Sequence, residues 1–140
     1  MKKIFLALLF CSPIVVAEEF LPIGTWIVAS DDAKVEIYAV AEKLEGKIVW
    51  LKTPTNDQGK TSKDDKNPDE ALKTREIMGM IFLKDFKKDK DEWSGGTIYD
   101  AKSGKTYKAN IKLDGKDKLK LRGYVGIPLF GRTEEWKRQY

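Results

Sequence analysis

The chain has 140 residues, with 26 Lys and Arg, 22 Asp and Glu and no histidine, so its formal net charge is +4. The absence of histidine removes Ser-His-Asp triads, histidine acid–base chemistry and the usual zinc sites, which excludes most hydrolase mechanisms. The single cysteine, Cys11, excludes an intrachain disulfide framework. The sequence therefore predicts neither a metal nor another cofactor.

The N-terminal 17 residues have the three parts of a cleavable secretory signal peptide. Two lysines follow Met1 and form the positive region, and residues 4–16 form the apolar region. Small residues at the −3 and −1 positions mark a cut after Ala17. We therefore predict a periplasmic or secreted protein of a Gram-negative-type envelope.

Two other kinds of N-terminal segment fit this region less well. A transmembrane anchor needs about 20 apolar residues, whereas this run is shorter and contains Pro13. A lipoprotein signal needs a small residue before its cysteine, whereas Phe10 precedes Cys11. Cleavage would remove the only cysteine, so the exported domain would have to fold without a disulfide.

Residues 18–140 are long enough for one domain with its own core. Loss of the two signal lysines leaves 24 basic against 22 acidic residues, from the 26 and 22 of the full chain. This near balance, spread along the sequence, is typical of a solvated surface and does not indicate a nucleic-acid partner.

Apolar and polar residues alternate with a period of two through most of this domain, and turn residues separate the alternating runs. The pattern predicts an all-β fold in which eight antiparallel strands close into an up-and-down barrel. A barrel of this size holds either its own side chains or one small ligand. The predicted strands are residues 24–30, 34–40, 44–52, 77–86, 92–100, 105–113, 117–125 and 128–137.

A signal peptide followed by eight strands is also found in outer-membrane barrels, whose apolar face points outward. Here the polar face carries Lys108 and Lys112 on one strand and Lys118, Lys120 and Arg122 on another. Lysines against lipid would cost several kcal/mol per strand. We therefore expect the apolar face to point inward and the barrel not to span a membrane.

The strand pattern is interrupted between residues 52 and 76 by a charged stretch. Asn67 as N-cap and Pro68 at the first helical position predict a short helix through Ala71–Arg75. A connection this long is either a partly ordered flap at a barrel mouth or a mobile surface insertion, and both hypotheses stay open.

The segment Ile77–Leu83 is apolar throughout and does not alternate, which predicts a strand with both faces buried. Either the preceding helix or a second subunit would cover its outer face. A homodimer through Met78–Leu83 is therefore one expectation.

Gly24-Thr25-Trp26 lies at the start of the first predicted strand. At this position the G-x-W motif resembles the first motif of the lipocalin-like (calycin) barrels. The resemblance implies that Trp26 closes one barrel end and that an arginine from a late strand packs across it. Arg122 and Arg132 are the candidates for that arginine.

Further sequence blocks, in chain order, narrow the resemblance. Together they resemble the bacterial exported family called domain of unknown function 2147, over nearly all of residues 18–140. The resemblance implies a lipocalin-like barrel and no established activity. The blocks are Gly24-x-Trp26, Leu44-x-Gly46-Lys47-Ile48-Val49-Trp50-Leu51, Lys66-Asn67-Pro68-Asp69, Trp93-Ser94-Gly95-Gly96-Thr97-Ile98-Tyr99-Asp100, Gly104-Lys105-Thr106-Tyr107, Leu119-x-Leu121-Arg122-Gly123-Tyr124-x-Gly126 and Leu129-Phe130-Gly131-Arg132-Thr133-x-x-Trp136.

Aromatic and aliphatic residues of the predicted strands are the candidates for a ligand cavity inside the barrel. They would bind a small apolar or amphipathic molecule such as a fatty acid; the alternative is that they only pack the core. The predicted cavity-lining residues are Trp50, Met80, Phe82, Trp93, Tyr99, Tyr107, Ile111, Leu121 and Phe130.

Three function classes follow from these features. The first is binding of a small ligand in the envelope, and the second is a protein-binding or inhibitor module with a packed barrel. The third, an enzyme based on carboxylates such as Glu36 or Asp100, lacks any recognisable catalytic spacing. We therefore predict a non-enzymatic protein and assign no catalytic residue.

Overall fold

The structure is a computed structural model and describes residues 4, 7–13 and 20–140. The two signal lysines and the predicted cleavage site after Ala17 lie outside the described residues. Within the described residues, none of the helices has the length and apolar character needed to cross a bilayer.

Eight antiparallel strands form a closed barrel in which each strand pairs with the next along the chain and the last pairs with the first. This architecture confirms the predicted all-β fold of eight antiparallel strands closed into an up-and-down barrel. The strands are β1 (Gly24–Ile27), β2 (Ala33–Val40), β3 (Lys43–Leu51), β4 (Ile81–Asp89), β5 (Glu92–Asp100), β6 (Lys105–Asp114), β7 (Lys118–Tyr124) and β8 (Arg132–Gln139).

Two strands begin later than the sequence predicted. Ile77–Met80 form a tight turn, closed by the Met80 amide donating to the Ile77 carbonyl at 3.1 Å, with Gly79 at φ +82°. Pro128–Phe130 form a 3-10 turn before β8. The doubly buried strand predicted for Ile77–Leu83 is therefore wrong: its first half is a turn, and Ile81 remains 37% exposed.

The apolar face of the sheet points into the barrel. This confirms the prediction made from the lysines on the polar face. Two glycines make room for large neighbours in this core. A Cβ at Gly96 would lie 2.5 Å from the Phe86 ring, and one at Gly46 would lie 2.7 Å from Leu83 Cδ1. The buried core comprises Trp26, Val35, Ile37, Leu44, Leu83, Phe86, Trp93, Ala109, Ile111, Leu119, Leu121 and Trp136.

β-Bulges change the strand register and help the small barrel to curve. In β5, Trp93 pairs with Ile111 and Gly96 with Ala109, so one extra residue lies between them. The consecutive glycines Gly95 and Gly96 lie at this bulge, as is typical of glycines within a strand. A second bulge lies in β3 at Val49, between the residues that pair with Lys34 and Val35.

Because neighbouring strands run in opposite directions, successive connections lie at alternate ends of the barrel. Residues 52–80, the connection from β3 to β4, lie at the same end as residues 101–104 and 125–131. We call this the insertion end. The opposite end carries residues 115–117, the segment that leads into β1 and the C-terminus, and we call it the closed end.

The insertion contains the short helix that the sequence predicted, as a single 3-10 turn at Glu70–Leu72. Its cap differs from the prediction, because Asp69 accepts the hydrogen bond from the Ala71 amide at 3.0 Å. Asn67 instead donates to Asp64, while its side-chain oxygen accepts from the Asp69 amide. The predicted N-cap is thus used to build a buried polar cluster.

Candidate functional site

The closed end is organised around the fully buried Trp26 ring. The Trp26 Nε1 donates to the Pro22 carbonyl at 2.8 Å, and the Arg138 guanidinium lies 4.3 Å from the ring centroid. Gly24 is required here for two reasons: its φ is +136°, and a Cβ would lie 2.7 Å from Arg138 Nη1. Both fixed residues of the G-x-W motif therefore serve this contact: Gly24 leaves room for the Arg138 guanidinium, and Trp26 supplies the ring on which it stacks.

Arg138 also fastens the chain termini to the barrel. Its Nη1 donates to the Ile23 carbonyl at 2.7 Å, its Nη2 to the Leu21 carbonyl at 2.9 Å and its Nε to the Lys116 carbonyl at 2.8 Å. The planar guanidinium satisfies three backbone acceptors while stacking on indole, a combination that lysine does not offer. The closed end is a structural seal.

Both arginines that the sequence suggested for this role were wrong. Arg122 lies at the other end, where its Nε donates to the Pro128 carbonyl at 2.6 Å. Arg132 is exposed at the start of β8 and pairs with Gly123. The missed residue is Arg138, which pairs directly with Trp26 in the β1–β8 register. Since barrel closure places the end of the last strand beside the start of the first, that pairing was a usable signal.

Five of the nine predicted cavity-lining residues face the barrel interior, and four of them belong to the buried core or pack against it. Phe82 packs against the core with its ring centroid 6.4 Å from that of Trp136. Tyr107 lies opposite Ile98 on the inward face and is half-buried. The remaining three, all buried core residues, are Trp93, Ile111 and Leu121. Their side chains pack together in the interior in which the sequence suggested a ligand cavity. Met80 is also buried, but it lies outside this core cluster and lines the cleft described below.

The other three predicted lining residues lie outside the barrel. Trp50 is 39% exposed and lies beneath the Lys34 ammonium, 5.0 Å from its ring centroid, on the outer wall. Tyr99 also faces outward, and Phe130 is 78% exposed in the turn before β8. The bulges explain the first two errors, since one extra residue moves every later side chain to the opposite face.

A buried polar cluster attaches the insertion to the outer wall of β5. Asp64 is fully buried and accepts hydrogen bonds from Tyr99 Oη at 2.5 Å, Arg75 Nη2 at 2.7 Å and Asn67 Nδ2 at 2.8 Å. The Arg75 guanidinium also lies 5.9 Å from the Tyr99 ring centroid. The insertion is therefore docked on the wall as a folded flap, held by the Asp64 carboxylate and by Lys66 Nζ, which donates to the Lys102 carbonyl at 2.9 Å.

The protonation of this cluster follows from its geometry. Burial favours the neutral acid, but the hydrogen bonds from Tyr99, Asn67 and Arg75 outweigh it and lower the pKa of Asp64 below 3.8. Burial, followed by the bond to the Asp64 carboxylate, raises the pKa of Tyr99 to about 12. At neutral pH the cluster is an ionised acid held by a neutral phenol and a guanidinium.

A cleft of about 370 Å³ lies where the insertion returns to β4. Its apolar surface comes from Met78, Met80 and Ile81, and its charged groups are Arg75, Glu76 and Lys84. The Nη2 of Arg75 is already bound to Asp64. Among the described residues, none forms an ion pair with Lys84. The cleft therefore offers an apolar floor beside a cation that remains free to bind.

Comparisons with known proteins agree with this architecture. A solved structure described as "Protein HP1028 from the human pathogen Helicobacter pylori belongs to the lipocalin family" aligns with a TM-score of 0.73 and 24% sequence identity. The alignment covers 87% of this chain and 85% of that one, and it establishes a shared fold. No curated protein sequence matches significantly. Residues 24–138, which include the Trp26–Arg138 seal and all eight strands, match a family profile, and the chain belongs to the family described as "Uncharacterized protein conserved in bacteria (DUF2147)".

Proposed function

We propose that this protein binds a small amphipathic molecule with an apolar body and an acidic head, such as a fatty acid. The observation that carries the proposal is the cleft between the insertion and β4. Its volume is at the lower end of the range of small-molecule sites, about 300–1,000 Å³. Since buried side chains pack together in the barrel interior, the ligand is assigned to this cleft.

The lining supports an amphipathic ligand in particular. Methionine side chains adapt to irregular apolar shapes, and Met78 and Met80 lie next to Ile81 on the cleft surface. Lys84 supplies a cation at the same surface, where Arg75 is already paired with Asp64 and Glu76 is the acidic group of the lining. An acidic head group would pair with Lys84, while the hydrocarbon chain would cover the methionines.

The test compares dodecanoate with dodecanol, which share a chain and differ in head-group charge. By isothermal titration calorimetry we expect dodecanoate to bind more tightly. Lys84→Gln should weaken dodecanoate binding roughly three- to fivefold and leave dodecanol unchanged. Lys87→Gln is the matched control, because Lys87 is exposed on the same strand outside the cleft. Equal binding of dodecanoate to Lys84→Gln and wild type would refute the assigned site.

We also propose that the protein acts after export, with the signal removed after Ala17. Support comes from the three-part N-terminal sequence. Mass spectrometry of the protein released from the cell envelope should give a mature chain that begins at Glu18. An intact N-terminus on protein confined to the cytoplasm would contradict export.

A homodimer through Met78–Leu83 is the other way in which this apolar surface would be covered. The 37% exposure of Ile81 and the apolar cleft beside it support a contact there. Sedimentation at high concentration should give twice the monomer mass, and Ile81→Asp should restore the monomer. A wild-type monomer under those conditions would remove the dimer.

The second candidate function is a protein-binding or inhibitor module, and the packed core favours it. Native mass spectrometry of protein purified from the envelope distinguishes the two. A bound small molecule supports the first function. A stoichiometric protein partner, together with no binding of dodecanoate, supports the second.

A further inference from the structure

The connection between β7 and β8 presents an apolar surface, which we call the β7–β8 tip and define as residues 125–130. Its exposed side chains are Val125 at 72%, Ile127 at 52%, Leu129 at 74% and Phe130 at 78%. None of these residues lines the cleft beside β4. A cluster of this kind at a loop end marks an interaction surface, since isolated exposed apolar residues are common but grouped ones are not.

The tip is held in shape by side chains beneath it. Arg122 Nε donates to the Pro128 carbonyl at 2.6 Å, and its Nη2 donates to the Leu129 carbonyl at 3.3 Å. Its Nη1 donates to Thr133 Oγ1 at 2.6 Å, which joins the tip to β8. Because Arg122 satisfies the backbone, the apolar side chains can face outward without leaving these carbonyls unpaired.

The charged residues that flank the tip segment, and the one that pairs at its base, are basic. The segment from Arg122 to Arg132 contains no acidic residue, and an arginine stands at each end of it. Lys108, on the neighbouring strand, pairs with Tyr124 at the base of the tip. Exposed apolar side chains bordered by cations match the surface of an anionic bilayer, where the former enter the acyl boundary and the latter meet phosphates.

We propose that the β7–β8 tip docks this protein reversibly on an anionic lipid surface. Leu129 and Phe130 enter the bilayer interface, and Arg132 pairs with lipid phosphate. A protein partner would need apolar complementarity alone, whereas the basic residues that flank the tip segment favour a surface rich in phosphate. This docking is independent of the cleft and of any ligand bound there.

The first experiment places an environment-sensitive fluorophore on Leu129→Cys in the full chain carrying Cys11→Ser. Vesicles of phosphatidylcholine with phosphatidylglycerol should shift its emission to the blue, and high salt should weaken the response. Vesicles of phosphatidylcholine alone should give a smaller shift. Val49→Cys, labelled on the outer wall, is the matched control and should not respond. The label reports on the tip whatever the N-terminal segment does.

The second experiment measures co-sedimentation with the same vesicles. Leu129→Ser/Phe130→Ser should lower binding about tenfold, because two apolar side chains no longer enter the interface. Arg132→Gln should lower binding to anionic vesicles several-fold and leave binding to phosphatidylcholine unchanged. Thermal unfolding like that of wild type would verify folding of each variant. A silent label at residue 129 with anionic vesicles, or a response only to an added envelope protein, would overturn the proposal.

Discussion

The two ends of the barrel are built from different chemistry. At the closed end, Trp26 is buried among apolar residues and Arg138 stacks on it while binding three backbone carbonyls. At the insertion end, Asp64 is buried among polar groups and attaches a long irregular segment to the outer wall. The first arrangement seals the core, and the second positions a surface segment.

This difference separates stability from recognition within one small domain. The closed end joins the first strand, the last strand and the β6–β7 turn, so loss of its contacts should loosen the whole barrel. The Asp64 cluster joins the insertion to β5 alone, so its loss should open the flap while the barrel persists. Both proposed binding surfaces, the cleft and the β7–β8 tip, lie with the insertion end.

The largest effect is expected from Trp26→Ala at the closed end. Removal of a fully buried indole should lower the free energy of unfolding by about 3–5 kcal/mol. Urea denaturation followed by circular dichroism measures the change. Trp50→Ala is the matched control on the outer wall, where we expect a loss below about 1 kcal/mol. Equal losses for the two variants would contradict a seal at Trp26.

Arg138→Met tests the other half of the seal. The variant keeps much of the apolar stem but loses three hydrogen bonds and the cation–π contact. The free energy of unfolding should fall by about 2 kcal/mol in the same urea experiment. Arg132→Met, on the same strand at the other end, should change it by less than about 0.5 kcal/mol. A larger loss of unfolding free energy for Arg132→Met than for Arg138→Met would instead assign the closure of the barrel end to Arg132, one of the two arginines suggested by the sequence.

The closed end shows which features of the fold could be predicted from the sequence. Period-two alternation predicted eight strands and an inward apolar face, because half-buried strands must alternate. The G-x-W motif predicted a tryptophan with an arginine across it. The arginine is Arg138 and not Arg122 or Arg132, because strand closure pairs Trp26 with a residue near the end of the last strand.

The outer wall and the insertion contain the features that sequence patterns did not predict. Alternation counted from the inward residues earlier in each strand would place Trp50 and Tyr99 inside the barrel. A bulge in each strand lies before these residues and moves their side chains to the outer face. The Asp64–Tyr99 contact joins residues 35 positions apart across an irregular segment. No periodicity encodes such a contact, since it depends on the path of the loop. The cleft was missed for the same reason.

Asp64→Asn should open the insertion and cost about 1–2 kcal/mol, less than the closed-end variants. The pKa of Asp64 is lowered in the fold, so its stabilisation is complete above the unfolded value of about 3.8 and is lost as pH falls through the lower folded value. Limited proteolysis should cut wild type within residues 53–63 only at strongly acidic pH. The variant should be cut there already at neutral pH, while its barrel fragment resists. Asp65→Asn, an exposed neighbour, is the control, and equal resistance of Asp64→Asn and wild type would contradict the latch.

Tyr99→Phe should have the smallest effect, about 1 kcal/mol at neutral pH, because it removes one hydrogen bond to Asp64 and keeps the ring under Arg75. The pKa of Tyr99 rises from 10.0 to about 12, so its contribution is complete below pH 10 and disappears as pH rises through 12. Phenolate absorbance should show one tyrosine that titrates near pH 12 in wild type. Tyr99→Phe should lack that step, whereas Tyr124→Phe should retain it. If the titration step near pH 12 survives in Tyr99→Phe, the insertion is not held by this phenol. The contrast between an apolar seal at Trp26 and a polar contact at Asp64 would then not hold for the Asp64 cluster.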